Sequence, residues 1–326
     1  MSKGAIELQF NWIFVLITGI VIFALIISIA ITQKNSSQKE LDISILNQLT
    51  ATIKAKKAPN TYNEIKVPET PINFFCDGNY FDYSIYGLKR ELPIDIIYSP
   101  KSIESTKLQI LTKDFSLPMT SSVVMYVTSP KYVYAIYIPE ESSPQDKFYA
   151  KQIYDDFRIS NISLIIIDEN YNIKSNFKVI CFENCPNSGK FIKVEPSEFG
   201  LDSYGNLSWY EGNQVKKKSK YIKKTTLYGA WFSEDFEIYE CQTNRLFEQF
   251  KIKNKLINGT VQLYSEKLRD SNTECYTRLV SVNSAIENLN KIQLNNEADI
   301  SSAYSGNKKM IDINKDLSLK SCPLLY

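Results

Sequence analysis

From Trp12 to Ile31 apolar residues run without a charge, and only Thr18, Gly19 and Ser28 interrupt them. Twenty helical residues at about 1.5 Å each match the roughly 30 Å hydrocarbon core of a bilayer. Residues 12–32 therefore read as a transmembrane helix behind a short flank, residues 1–11. A secretory apolar core is shorter, about 7–15 residues, so a retained anchor is favoured over cleavage at the small-x-small triplet Ser28-Ile29-Ala30. Trp12 stands where an interfacial aromatic would. Beyond the span Leu41, Ile45, Leu49 and Ile53 recur every four residues as a juxtamembrane helix. Pro59, Pro68 and Pro71 then mark a linker, and the two together fill residues 33–71.

The period then shortens. Phe74–Tyr86, Lys107–Thr112 and Ser122–Thr128 are β-like runs. Tyr132–Ile138 predicts a strand, Ser143-Pro144 an N-cap and first helical residue, and Tyr149, Ile153 and Phe157 one helix face. Ser163–Ile167 is continuously apolar, as a strand buried on both faces would be. These pieces predict a βαβ unit, with Phe177–Phe182 a further strand. Residues 189–232, with turns at Gly205 and Gly212-Asn213, read as hairpins, so residues 72–239 form an α/β ectodomain.

After Glu240 the spacing is helical. Leu246, Phe250, Ile257, Val261, Tyr264 and Leu268 continue through Asn258-Gly259 as one long helix, or the chain turns back there as a hairpin. Leu279, Val282, Ile286 and Leu289 form a seam, and Ala303, Met310, Ile313 and Leu317 repeat it after a polar break. Two helices joined so closely are antiparallel, making residues 240–326 a helical bundle. The fold class is thus α+β: an α/β layer with β-hairpins, plus a C-terminal antiparallel helical bundle, preceded by one N-terminal transmembrane helix.

Composition narrows the chemistry. The chain has 326 residues, a formal net charge of +2 and no histidine. Histidine triads, metal sites and pH switches are therefore excluded, and no catalytic residue, cofactor or metal is expected. The near-neutral balance gives no case for nucleic acid. The 21 tyrosines and 17 phenylalanines favour aromatic packing in β structure.

Six cysteines, Cys76, Cys181, Cys185, Cys241, Cys275 and Cys322, form an even set without paired zinc spacing. Disulfides in an extracytoplasmic domain are the leading reading, against free buried thiols. Fifteen connectivities are open. Antiparallel terminal helices bring Cys275 to Cys322, the favoured pair; a hairpin at Asn258-Gly259 would bring Cys241 to Cys275 instead. Flanking charges, Lys3 against Lys34 and Lys39, leave orientation open, so the cysteines place the bulk of the chain outside. Sequons at Asn35, Asn161, Asn206 and Asn258 permit glycosylation.

Few motifs carry function. "VKKKSKYIKK" concentrates Lys216, Lys217, Lys218, Lys220, Lys223 and Lys224, either a contact patch for an acidic surface or a solvated hairpin. Ala24, Ser28 and Thr32 place small residues on one face of the anchor, where two copies would approach closely, or are ordinary transmembrane composition. "DENYNIKSNFKV" lacks the glycine and glutamate of a calcium loop, and "NSGK" the outer residues of a phosphate loop. Asp155-Asp156 and Glu140-Glu141 are solvated carboxylates by default. "IPEESSPQ" replaces the glycine-rich turn of a dinucleotide site.

"ELQFNWIFVLITG", "TLYGAWFSEDFEIYEC" and the terminal "KSCPLLY" resemble segments of uncharacterised single-pass membrane proteins from small-genome (DPANN-type) archaea. That resemblance implies an archaeal envelope protein and brings no activity. "KGAIEL" is similar to the archaeal class III, pilin-like leader, but cleavage after Gly4 would place Glu7 third rather than fifth, and Gln9 and Asn11 interrupt the apolar run. The expectation is a single-pass cell-membrane protein, held in the bilayer by residues 12–32, with a disulfide-stabilised ectodomain acting in binding or assembly on an envelope protein partner. A surface-filament subunit and a membrane-tethered enzyme using Cys181/Cys185 are the alternatives.

Overall fold

The computed structural model describes residues 4–55, 60–78, 80–85, 87–92, 96–118, 120–158, 160–294 and 296–325. It divides into two units, Met1–Thr52 and Ile53–Tyr326.

The first unit is helical. Helix α1 (Gly4–Ala55) is one unbroken element, with no boundary between anchor and juxtamembrane segment. Its span Phe14–Lys34 has a mean hydropathy of 3.0, and every side chain in it is exposed. Ala24, Ser28 and Thr32 lie on this span, and the Thr32 hydroxyl donates to the Ser28 carbonyl at 2.8 Å. Trp12 and the juxtamembrane Leu41, Ile45, Leu49 and Ile53 fall outside the described side chains, and Pro59 outside the described residues.

The second unit begins with a sheet of β1 (Tyr62–Cys76), β2 (Phe81–Ile85), β3 (Leu88–Glu91), β4 (Ile96–Tyr98), β5 (Ser102–Ser116) and β6 (Thr120–Thr128). Its order is β3-β2-β1-β5-β6-β4, antiparallel except where β4 meets β6. The linker expected at residues 59–71 is instead most of β1. Proline is excluded from a strand only where its missing N–H is needed. The β1–β5 register shifts between Lys66 and Thr70, around Pro68, so the strand is irregular where that proline stands.

A second sheet comprises β7 (Val133–Tyr137), β8 (Leu164–Ile167), β9 (Phe177–Cys181), β10 (Lys190–Pro196), β11 (Tyr204–Glu211) and β12 (Gln214–Ile222), with α2 (Pro144–Phe157) between β7 and β8. The order is β12-β11-β10-β9-β7-β8; β8, β7, β9 and β10 run parallel, and β11 and β12 return antiparallel. Ser143 caps α2 by accepting from the Asp146 N–H at 3.1 Å, Pro144 opens it, and Tyr149, Ile153 and Phe157 are buried. β8 corrects one expectation: it is an edge strand, and Ile166 is 50% exposed.

Where hairpins were expected to run to residue 232, the chain forms α3 (Lys223–Ser233). Every residue from Thr225 to Ser233 is buried. The helix touches β4, β5 and β6 of the first sheet and β9 and β12 of the second, so it has no solvent face and no amphipathic stripe. Its own Phe232 joins Tyr98, Tyr126, Tyr134 and Phe157 in a continuous aromatic core.

Helices α4 (Phe236–Leu268), α5 (Thr273–Asn290) and α6 (Glu297–Leu319) complete the chain. α4 passes through Asn258-Gly259 unbroken, with open space around Gly259. α5 packs against both α4 and α6. A Cβ at Gly306 would stand 2.7 Å from the Ala285 carbonyl, so the α5–α6 approach requires glycine there. Arg278 pairs with Asp316, and Lys320 with Glu274 at 3.1 Å.

Candidate functional site

The cysteines form Cys76–Cys241, Cys181–Cys185 and Cys275–Cys322. The pair favoured from helix spacing is therefore bonded, whereas Cys241 joins the end of β1 to α4 and not Cys275. Cys181 closes β9 and is fully buried; Cys185 is half-buried. Among the described residues no group of three or more Cys, Asp and Glu stands together as a metal site.

The six lysines of residues 216–224 do not form one patch, because β12 ends and α3 begins inside the run. Lys220 donates to the Asn206 side chain at 2.7 Å, and Lys224 pairs with Asp156 at 2.9 Å and Asp202 at 3.4 Å. Lys223 is half-buried, and burial lowers its pKa. Lys218 is exposed beside Ser219 and Asn206. Lys216 and Lys217 go elsewhere, into a cleft.

The same fold corrects the expectation of a solvated Asp156. Its carboxylate accepts from the Tyr228 hydroxyl at 2.5 Å as well as from Lys224. Lys113 donates to its backbone carbonyl at 3.2 Å and lies over the rings of Phe157 and Tyr228, with its pKa lowered by burial. These groups satisfy one another and tie α2, β5 and α3 together.

The cleft lies where β9 and β10 begin, β11 ends, β12 begins and α3 passes into α4; its volume is about 170 Å³. The β9–β10 ladder starts only at Val179/Phe191, so the strands part ahead of it. Its walls are apolar: Phe177, Phe191, Trp209, Trp231 and Phe236 among them. Phe191 stacks on Tyr210 at 4.8 Å, and Trp209 meets Phe236 edge-on at 5.3 Å. The Trp231 indole N–H donates to the Lys178 carbonyl at 2.7 Å, which fixes α3 against β9. The Trp209 indole N–H is buried and has no acceptor among the described residues.

Charged groups rim these walls. Lys178, its side chain 5% exposed, pairs with Glu234 and lies 4.4 Å from the ring centroid of Tyr132, whose pKa is raised first by burial and then by Glu234. Asp235 caps α4 through the Glu237 and Ile238 N–H groups and binds Lys101 at 3.0 Å, so its charge is answered within the fold. Hydrogen bonds that Lys101 donates to Asp235 and Glu237 raise its pKa. On the opposite rim Lys190 and Lys216 share one carboxylate, Glu211, at 3.8 and 3.7 Å. Lys217 lies 5.3 Å from the Phe236 ring centroid.

Lys216 and Lys217 line the same cleft because the β11–β12 register shifts there: Trp209 faces Lys217 while Tyr210 faces Val215. Consecutive strand residues ordinarily point to opposite faces, and a bulge redirects one of them. The exposed Asn161 precedes β8, whereas Asn206 and Asn258 are half-buried, and the Asn35 side chain lies outside the described residues.

The cleft residues come from segments spread over residues 177–236 and carry no motif; the one local signal is the tryptophans, two of three of which stand here. No family model, curated protein or solved structure matches the chain.

Proposed function

We propose that this chain is a single-pass, membrane-anchored envelope or cell-surface protein whose ectodomain lies outside the cytoplasm and acts in binding or assembly, without catalysis. One observation carries the reading: a 21-residue apolar span with no buried side chain precedes a unit whose six cysteines are all bonded. The span suits lipid by length and hydropathy, and disulfides persist in oxidising compartments. In this reading α4, α5 and α6 form a C-terminal antiparallel bundle locked by Cys275–Cys322, the Ala24, Ser28 and Thr32 face supports self-association of the anchor, and the tryptophan cleft is the contact site.

Protease protection on intact cells, with alkylation of the native protein before and after reduction, tests this. The expected result is a chain retained in membranes after alkaline carbonate washing, cleavable from outside, with alkylation only after reduction. An ectodomain shielded by the membrane and alkylated without reduction would overturn it.

A surface-filament subunit is the second reading, favoured by the continuity of α1 over 52 residues, about 78 Å at 1.5 Å per residue and far longer than a bilayer core. A mature N-terminus near residue 5 supports it; an N-terminus at residue 1 or 2 rules it out.

A further inference from the structure

We infer that the tryptophan cleft binds a small anion built as a carboxylate on an apolar, ring-sized body. The inference rests on reading the ectodomain as a binding module and names what this site would take. Shape and charge converge on it. The walls supply aromatic faces, Trp209, Trp231 and Phe236, around a space of about 170 Å³, enough for one ring and a short tail. An apolar body entering that space takes its own surface out of water and into contact with those faces, which is favourable in proportion to the area it buries.

The two rims differ in charge. On the α3–α4 side each carboxylate has a cation: Glu234 has Lys178, and Asp235 has Lys101. On the β10–β12 side Lys190 and Lys216 share the single carboxylate of Glu211, and Lys217, whose ammonium lies over the Phe236 ring, has no carboxylate partner among the described residues. That end carries the excess positive charge, and a ligand carboxylate placed there completes the pairing. The aromatic walls lower the local dielectric, which strengthens such a contact relative to open water. A neutral ligand of the same shape gains the apolar term alone. A cation of the same shape meets the lysines and is repelled.

The bulge at Lys216 supports the assignment. A regular β12 would send Lys216 and Lys217 to opposite faces, whereas here both line one cleft. Bulges concentrate where a strand re-aims a side chain at a site.

The test uses the full chain in zwitterionic lipid nanodiscs, carrying Trp12→Phe so that Trp209 and Trp231 alone report by fluorescence. The probes are 3-phenylpropionate and its uncharged twin, 3-phenylpropionamide. The expected result is a saturable change with phenylpropionate and at least tenfold weaker binding of the amide. A K216M/K217M variant should hold both equally weakly; both lysines are exposed, so it folds, as its circular dichroism will report. No saturable change, equal affinity for acid and amide, or a tenfold preference that survives in K216M/K217M each overturns the inference. Purified-protein binding does not depend on membrane orientation, so this failure is distinguishable from a wrong topology.

Discussion

The backbone of Gly229 lies against the ring of Tyr98 so closely that a Cβ there would stand 2.6 Å from the ring. Tyr98 is fully buried, stacks between Tyr126 and Tyr239, and shares a 2.8 Å hydrogen bond with the Thr243 hydroxyl, so it has nowhere to retreat. Gly229→Ala gains roughly 1 kcal/mol of helix propensity and forces an overpacked core costing about 1–3 kcal/mol or more. Net destabilisation is expected, read as a lower urea midpoint at unchanged slope. A midpoint at or above that of the parent would refute the close packing of α3 on β4.

Alkaline pH should unfold the second unit through its tyrosines. Burial raises the phenol pKa of Tyr98, Tyr126, Tyr134, Tyr221, Tyr228 and Tyr239. In the unfolded chain these groups ionise near 10, so above that pH the native state holds protons the unfolded state has released. Stability then falls as pH rises, by roughly 1.4 kcal/mol per unit for each tyrosine, or about 8 kcal/mol for the set. Lys101, Lys193 and Lys224, with raised pKa values, act in the same direction near their own titration; Lys113 and Lys223, with lowered values, oppose it. Tyrosinate absorbance should therefore appear partly in a single step coincident with loss of circular dichroism. Smooth ionisation of all 21 tyrosines with the fold intact would contradict the buried assignment.

What the sequence makes legible follows from where local chemistry decides the structure. The apolar span and α2 are readable because length alone marks the first, and Ser143-Pro144 with Tyr149, Ile153 and Phe157 marks the second. β1 is obscured because prolines signal a linker unless the register of the partner strand is known, and that register is a tertiary fact. α3 is obscured because a helix buried on all sides shows no period, and Thr225, Thr226, Tyr228, Trp231 and Phe232 are residues that favour strands. β8 looks doubly buried because an apolar run says nothing about position in the sheet. The cleft is illegible for a different reason. Two of its lysines, Lys216 and Lys217, sit in a visible cluster, but the bulge that brings both to the cleft and the change from β12 to α3 that carries Lys223 and Lys224 away from it are tertiary facts.

The disulfides should rank by the loop each closes. Their sequence separations are 165 for Cys76–Cys241, 47 for Cys275–Cys322 and 4 for Cys181–Cys185. Loop-entropy arithmetic assigns them about 5, about 4 and about 2 kcal/mol in turn. Paired Cys→Ala variants should lose thermal stability in that order, with Cys181/Cys185 the mildest. Greater loss from the Cys181/Cys185 pair than from Cys275/Cys322 would show that the short loop supports β9 by contacts, not by chain entropy.

The two cleft tryptophans should respond differently to the same substitution. Both are buried, and changing either to Phe leaves a comparable void. Trp231 donates to the Lys178 carbonyl, so Trp231→Phe also removes a hydrogen bond worth about 1 kcal/mol and strips that carbonyl of a partner. Trp209 carries an indole N–H with no acceptor among the described residues, and an unpaired buried donor costs about 1–3 kcal/mol. Trp209→Phe relieves that cost against the void it opens, so its effect on stability should be near zero. Trp231→Phe should be the more destabilising by about 2 kcal/mol, measured by urea unfolding of the two variants side by side. A stability-neutral Trp209→Phe that also weakens phenylpropionate binding would mean that this indole serves the cleft more than the fold. Equal destabilisation by the two substitutions would mean that the Trp209 N–H is satisfied after all.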